Sequence, residues 1–98
     1  MNRPLPDTSI REQVFEQIRR LLEPDAPPVA DDTPLIGDAS VMDSMKLVEL
    51  CLALEDLAEG AGFRFDWTSD AAMSRSRSMF RSAGALAAEY QAQMAGAR

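Results

Sequence analysis

Four prolines, Pro24, Pro27, Pro28 and Pro34, limit what this chain can fold into more than any other feature. Proline lacks a backbone N–H and restricts the residue before it, so residues 23–42 cannot hold a long helix. Gly37, Asp38 and Ser40 add turn formers to the same stretch. Helical patterning stands on both sides of it, so the fold must carry one long connection between a first helix and the rest. Val29, Leu35, Ile36, Val41 and Met42 are apolar, which a solvated linker would not need. This loop is therefore expected to pack across the helices, and loops of such length in compact domains are often functional.

The flanking segments read as helices. Ser9 and Glu12 form a capping box, and Ile10, Val14, Ile18 and Leu21 then fall on one face with Phe15 and Leu22 beside them. The pattern predicts a first helix from Ser9 to Leu22, ended by Pro24. A second runs from Ser44 to Glu59, with Leu47, Leu50, Cys51, Leu54 and Leu57 as its buried stripe and Gly60 and Gly62 as its stop. Phe63, Phe65 and Trp67 alternate with Arg64 and Asp66, but no second strand is available to pair with them. An extended segment whose aromatics plug the end of a bundle is expected instead. Thr68 or Ser69 caps a short third helix through Ser74, followed by a polar loop over Ser74–Ser78. Ser82 caps a last helix with Ala83, Leu86, Ala87 and Tyr90 inward and Met94 continuing the stripe. The expected fold is all-α: a small antiparallel bundle of three main helices plus one short helix, with the long loop between the first and second. Residues 1–8 form a flexible N-terminus, 9–94 the domain, and 95–98 a frayed end.

Several chemistries are excluded by composition. Without histidine, no Ser-His-acid or Cys-His centre can be built. One cysteine excludes an internal disulfide and a multi-cysteine zinc site, and a lone thiol fits a reducing cytoplasm. No apolar run approaches the roughly 18 residues of a membrane span, and the first residues lack the apolar core of a secretion signal. Residues 1–60 carry thirteen acids and five bases, whereas residues 61–98 carry three acids and five bases, for a net charge of −6. Such an acidic body repels nucleic acid and anionic membrane and attracts basic protein surfaces.

Asp43-Ser44-Met45 stands where the polar loop ends and the second apolar-periodic run begins. On the residues alone, Ser44 is an N-cap with Asp43 favouring the helix dipole. The stretch Asp43-Ser44-Met45, with Val48-Glu49-Leu50 and Leu54-Glu55 after it and Pro34-Leu35 before it, also resembles the prosthetic-group site of the acyl carrier proteins. Phe80-Arg81-Ser82-Ala83 through Tyr90 is similar to that family's last helix. The resemblance spans residues 9–92. It implies a non-enzymatic, monomeric, cytoplasmic carrier whose Ser44 bears 4′-phosphopantetheine, transferred from coenzyme A by a phosphopantetheinyl transferase with Mg²⁺. Asp43 and Met45 would flank the attachment. Val48, Glu49, Leu52, Glu55 and Asp56 would dock acyl-loading and acyl-transfer enzymes that present basic surfaces. Val41-Met42 before the site, Lys46 after it and the Arg75/Arg77/Arg81 cluster depart from the fatty-acid-synthesis carriers, and favour a dedicated carrier in a specialised lipid or secondary-metabolite pathway. A D-alanyl or aminoacyl carrier is the alternative cargo class. A helical adaptor without a prosthetic group, using the same acidic helix, is the alternative function.

Other residue sets read more simply. Val48 and Leu52 fit either exposed contacts or core, and the acids of the second helix fit either a docking strip or a solvated face. Cys51, mid-helix among leucines, reads as a small buried hydrophobe. The methionines read as adaptable packing. Asp31, Asp32 and Asp38 are oxygen donors but lack the glycine and spacing of a calcium-binding loop. Arg64, Arg75, Arg77 and Arg81 are a weak footprint for phosphate or RNA in so acidic a chain.

Overall fold

The computed structural model describes residues 7–37 and 42–96, the side chains of Asp7, Thr8 and Ser9 excepted. Within them the chain is all-helical: α1 (Asp7–Leu21), α2 (Ser44–Gly60), α3 (Asp70–Met79) and α4 (Ala83–Gly96), with no strand among the described residues. α1 packs against α4 and α2, and α3 packs against α4, making a small helical bundle. α1 begins before Ser9, whose expected capping box lies outside the described side chains. Val14, Phe15 and Ile18 are buried as the periodicity requires, and Leu21 is partly covered.

The long loop is part of the core and is also tied down by it. Leu35 and Met42 are buried, and Val29 and Ile36 pack against the same cluster; Asp38 and Val41 lie outside the described residues. The first turn of α4 supplies the ties. Ala83 N–H donates to the Thr33 carbonyl (2.8 Å) and Gly84 N–H to the Asp31 carbonyl (2.9 Å), while Ala85 N–H donates to Ser82 Oγ (3.1 Å). These are three amides that a helix N-terminus leaves without intrahelical partners, and two of them are satisfied by loop backbone. Arg11 of α1 pairs with Asp31 and lies over the Phe15 ring, so the loop is held from both neighbours.

At the end of α2, Gly60 and Gly62 do not share the stop as expected. Gly60 is still helical, and Gly62 alone (φ +89°) makes the stop. Phe63 N–H donates to the Ala58 carbonyl (3.0 Å) and Gly62 N–H to the Glu59 carbonyl (3.1 Å), the paired bonds of a Schellman motif. Phe63 then meets Tyr90 edge-on, with ring centroids 5.1 Å apart, and Phe65 sits 5.7 Å from the same ring. The extended segment finds a partner without a second strand. The Gln93 side chain accepts from Asp66 N–H (2.6 Å) and donates to the Asp66 carbonyl (2.9 Å).

α3 departs from expectation. It continues through Ser74–Ser78, the stretch expected to be a loop, and ends at Met79. Ser69 caps it by accepting from Ala72 N–H (3.1 Å), and Asp66 holds Ser69 in turn through its hydroxyl (2.5 Å) and amide (3.1 Å). These bonds hold the Asp66 carboxyl below its ordinary range. Ser74 and Ser76 donate to the carbonyls three residues back (2.9 and 3.0 Å), so their hydroxyls are absorbed by the helix. Ala72 and Met79, seven apart, anchor its inner face. At the other end, Ala95 and Gly96 continue α4.

Candidate functional site

The entry to α2 is capped by Asp43 and not by Ser44. Asp43 is extended (φ −88°, ψ −179°), and its Oδ1 accepts from Lys46 N–H (2.8 Å) while its carbonyl accepts from Leu47 N–H (3.0 Å). Both serine and aspartate are good N-caps. The turn register chooses between them, and it places Ser44 as the first helical residue, with its side chain exposed. The Ser44 hydroxyl is thereby free of the capping role that the sequence also allowed it.

Around the helix, α2 divides sharply. At about 100° per residue, Ser44, Met45, Val48, Glu49, Leu52, Glu55, Asp56 and Glu59 fall within an arc of roughly 140°. Leu50, Cys51, Leu54 and Ala58 are buried on the opposite side. Met45 (73% exposed), Val48 (46%) and Leu52 (49%) form an apolar stripe at spacings of three and four. Val48 and Leu52 are therefore surface and not core. Glu49 and Asp56 border the stripe on one side and Glu59 continues its line toward the end of the helix, all three exposed and without an ion pair among the described residues.

Glu55 differs from those acids. Its Oε2 accepts from the Trp67 indole N–H (2.5 Å), so this half-buried carboxylate fastens the extended segment to α2. Nothing in the spacing of Glu55 signals this contact, because Trp67 reaches it through the tertiary fold. Cys51 lies one turn before. Burial, with a smaller contribution from Glu55, pushes its thiol up to about 12. It is an inert hydrophobe as expected.

Beside Ser44 is a cleft of about 310 Å³, lined by Leu35, Ile36, Met42 and Leu47 together with Asp43 and Ser44. Apolar residues in the loop were its one sequence signal. Gly37 at its edge has φ +96°, a left-handed turn suited to glycine. The site thus joins an exposed hydroxyl, an apolar recess and an acidic-apolar helix face within one element and its preceding loop.

The other candidate sets do not converge on it. Asp31 is engaged by Arg11, and Asp38 lies outside the described residues. Arg75 pairs with Glu89 (3.0 Å) on the α3–α4 side. No group of three His, Cys, Asp or Glu placed to hold a metal occurs among the described residues, and no helix there is long and apolar enough to cross a membrane. Comparison with protein-family models, with curated proteins and with solved structures finds no match for this chain.

Proposed function

We propose that the chain is a carrier protein that holds acyl intermediates as thioesters on a 4′-phosphopantetheine arm attached to Ser44. The observation that carries this reading is the division of labour at the head of α2: Asp43 makes the cap, which leaves the neighbouring Ser44 exposed, its hydroxyl without a hydrogen bond among the described residues. The local chemistry fits such a group. A phosphodiester on Ser44 would lie near the first amides of a 17-residue helix, where negative charge is favoured. The recess of Leu35, Ile36, Met42 and Leu47 offers apolar surface beside it. When attached, the arm supplies a terminal thiol that holds the acyl group.

The remaining work belongs to the chain's own residues. Ser44 provides the attachment oxygen. Met45, Val48 and Leu52 offer apolar contact to a visiting enzyme, and Glu49, Asp56 and Glu59 attract its basic surface. Glu55 serves less as a docking group than the other acids, because Trp67 already occupies one of its oxygens. Docking of this kind is weak and salt-sensitive, which suits a carrier that must leave each enzyme. The partners are a phosphopantetheinyl transferase and acyl-loading and acyl-transfer enzymes, in the cytoplasm, within a specialised lipid or secondary-metabolite pathway.

Intact-mass measurement tests the reading. Purified protein is incubated with coenzyme A, Mg²⁺ and a broad-specificity phosphopantetheinyl transferase. A gain of one phosphopantetheine unit is expected, and Ser44→Ala should show none. An unmodified wild-type chain, folded and initially free of the group, would leave the adaptor function in its place.

A further inference from the structure

α3 has little of its own to hold it in place. It has ten residues, and a helix shorter than about 12 residues is marginal in water unless something outside supports it. Three of the ten are serines, which form helix poorly. α3 buries only Ala72 and Met79, where each of the other helices buries at least four residues, and Met73 is 60% exposed.

The ends of α3 are better fixed than its body. At the start, Ser69 caps the helix and Asp66 holds Ser69. Gln93 grips the Asp66 backbone from both sides of the peptide, and Glu55 holds Trp67. At the other end Phe80 is buried. Between these ends, one side-chain hydrogen bond reaches another element among the described residues, from Arg75 Nη2 to Glu89 Oε2 at 3.0 Å. The same Glu89 oxygen accepts from Gln93 Nε2 at 2.8 Å. A single half-buried carboxylate on α4 thus secures both the body of α3 and the residue that clamps its start.

We infer that α3 is a conditional helix, which melts between Trp67 and Phe80 while the rest of the bundle stays folded, and that Glu89 sets how often it does so. Segments with few buried apolar contacts open locally at a fraction of the global unfolding free energy. Val14, Ile18, Leu50, Leu54, Leu86 and Tyr90, each at most 1% exposed, come from α1, α2 and α4, so a core remains when α3 melts. The opening uncovers the part of that core which Ala72 and Met79 close. It leaves Ser44, the Asp43 cap and the exposed face of α2 in place, since no side chain of α2 or of its cap hydrogen-bonds to α3 among the described residues. The inference does not depend on whether Ser44 carries a group, and unmodified protein suffices to test it.

Amide hydrogen exchange of the full chain, resolved by NMR and corrected for intrinsic rates, tests it. In the wild type, the amides of Arg75–Met79 should exchange about tenfold faster, or more, than those of Ile18 and Leu54. Two variants then separate local from global opening. Ile18→Val weakens the core, which is intact whether α3 is folded or melted. It should speed the slowest amides of α1 and α2 severalfold and leave those of α3 unchanged. Glu89→Ala removes the oxygen that Arg75 and Gln93 share, and alanine is the better helix former, so α4 itself is not weakened. It should speed the α3 amides by about tenfold. If Glu89→Ala does not fold, Arg75→Ala breaks the same bond from the exposed side and is read in the same way. Wild-type α3 amides as slow as those of Ile18 and Leu54 would overturn the inference. So would α3 amides that speed up with the core in Ile18→Val, or that keep their wild-type rates when the Arg75–Glu89 bond is removed.

Discussion

At Gly84 two segments distant in sequence approach so closely that there is no room for a side chain. A Cβ added there would stand 2.8 Å from Asp31 Oδ1 and 2.9 Å from the Asp31 carbonyl oxygen. The loop would have to move, and the Gly84 N–H bond to that carbonyl would lengthen. Gly84→Ala should cost about 1–3 kcal/mol, the usual range for overpacking, read as a lower denaturant midpoint at an unchanged slope. Cys51 gives a pH prediction. Its thiol is raised from 9.0 to about 12 by burial, so the folded chain holds that proton after the unfolded chain has released it. Stability is therefore fully present below pH 9 and falls as the pH climbs from 9 to 12. Tyr90, also raised by burial, adds a loss of the same sign. Cys51→Ala should flatten part of this decline in unfolding measurements. Of the candidate site, Ser44, Asp43 and Met45 were legible as a tripeptide at a helix entrance. Which of Asp43 and Ser44 would cap was not legible, since both side chains suit the position and only the backbone register separates them.

The glycines at the end of α2 separate two roles that look alike in the sequence. Gly60 is helical with open space where a Cβ would go, whereas Gly62 has φ +89°. Gly60→Ala should stabilise by about 0.5–1 kcal/mol by removing backbone freedom from the unfolded chain. Gly62→Ala should destabilise by about 1–2 kcal/mol, the cost of a side chain in the left-handed region. Paired thermal melts would show the opposite shifts. α3 marks the limit of pattern reading at this scale. Ser74–Ser78 has no apolar rhythm, yet it is helical, because Ser69 starts the helix firmly and the hydroxyls of Ser74 and Ser76 are accommodated by carbonyls of the preceding turn. Its two anchors, Ala72 and Met79, are too few to stand out as a period. α1, α2 and α4, with repeated apolar faces, were legible nearly to their ends.

The described residues span 38 × 36 × 19 Å, thin in one direction. A shape so flat buries only one side of α2, and Leu52 and Leu54 show the consequence. Leu54 is fully buried and Leu52 is about half exposed. Leu54→Ala should cost about 2–5 kcal/mol, while Val48→Gln and Leu52→Gln should each change stability by less than about 0.5 kcal/mol. Chemical denaturation distinguishes the two classes, and under the proposed carrier function the glutamine variants should weaken docking of partner enzymes.

From its sequence alone, this chain determined where the bodies of α1, α2 and α4 lie, which of their faces turn inward, and that a proline-rich loop would join the core. These follow from neighbouring residues: proline's missing donor, glycine's freedom and the helical period are all local. The tertiary structure alone decided that Val48 and Leu52 would be surface and that Glu55 would be tied to Trp67. It likewise decided that loop carbonyls would complete the first turn of α4. Each of these is a meeting of residues 12 to 53 positions apart, or an exposure set by which helices are present to cover a face. Local preference carries no information about such meetings, because they depend on how the assembled elements share one small core.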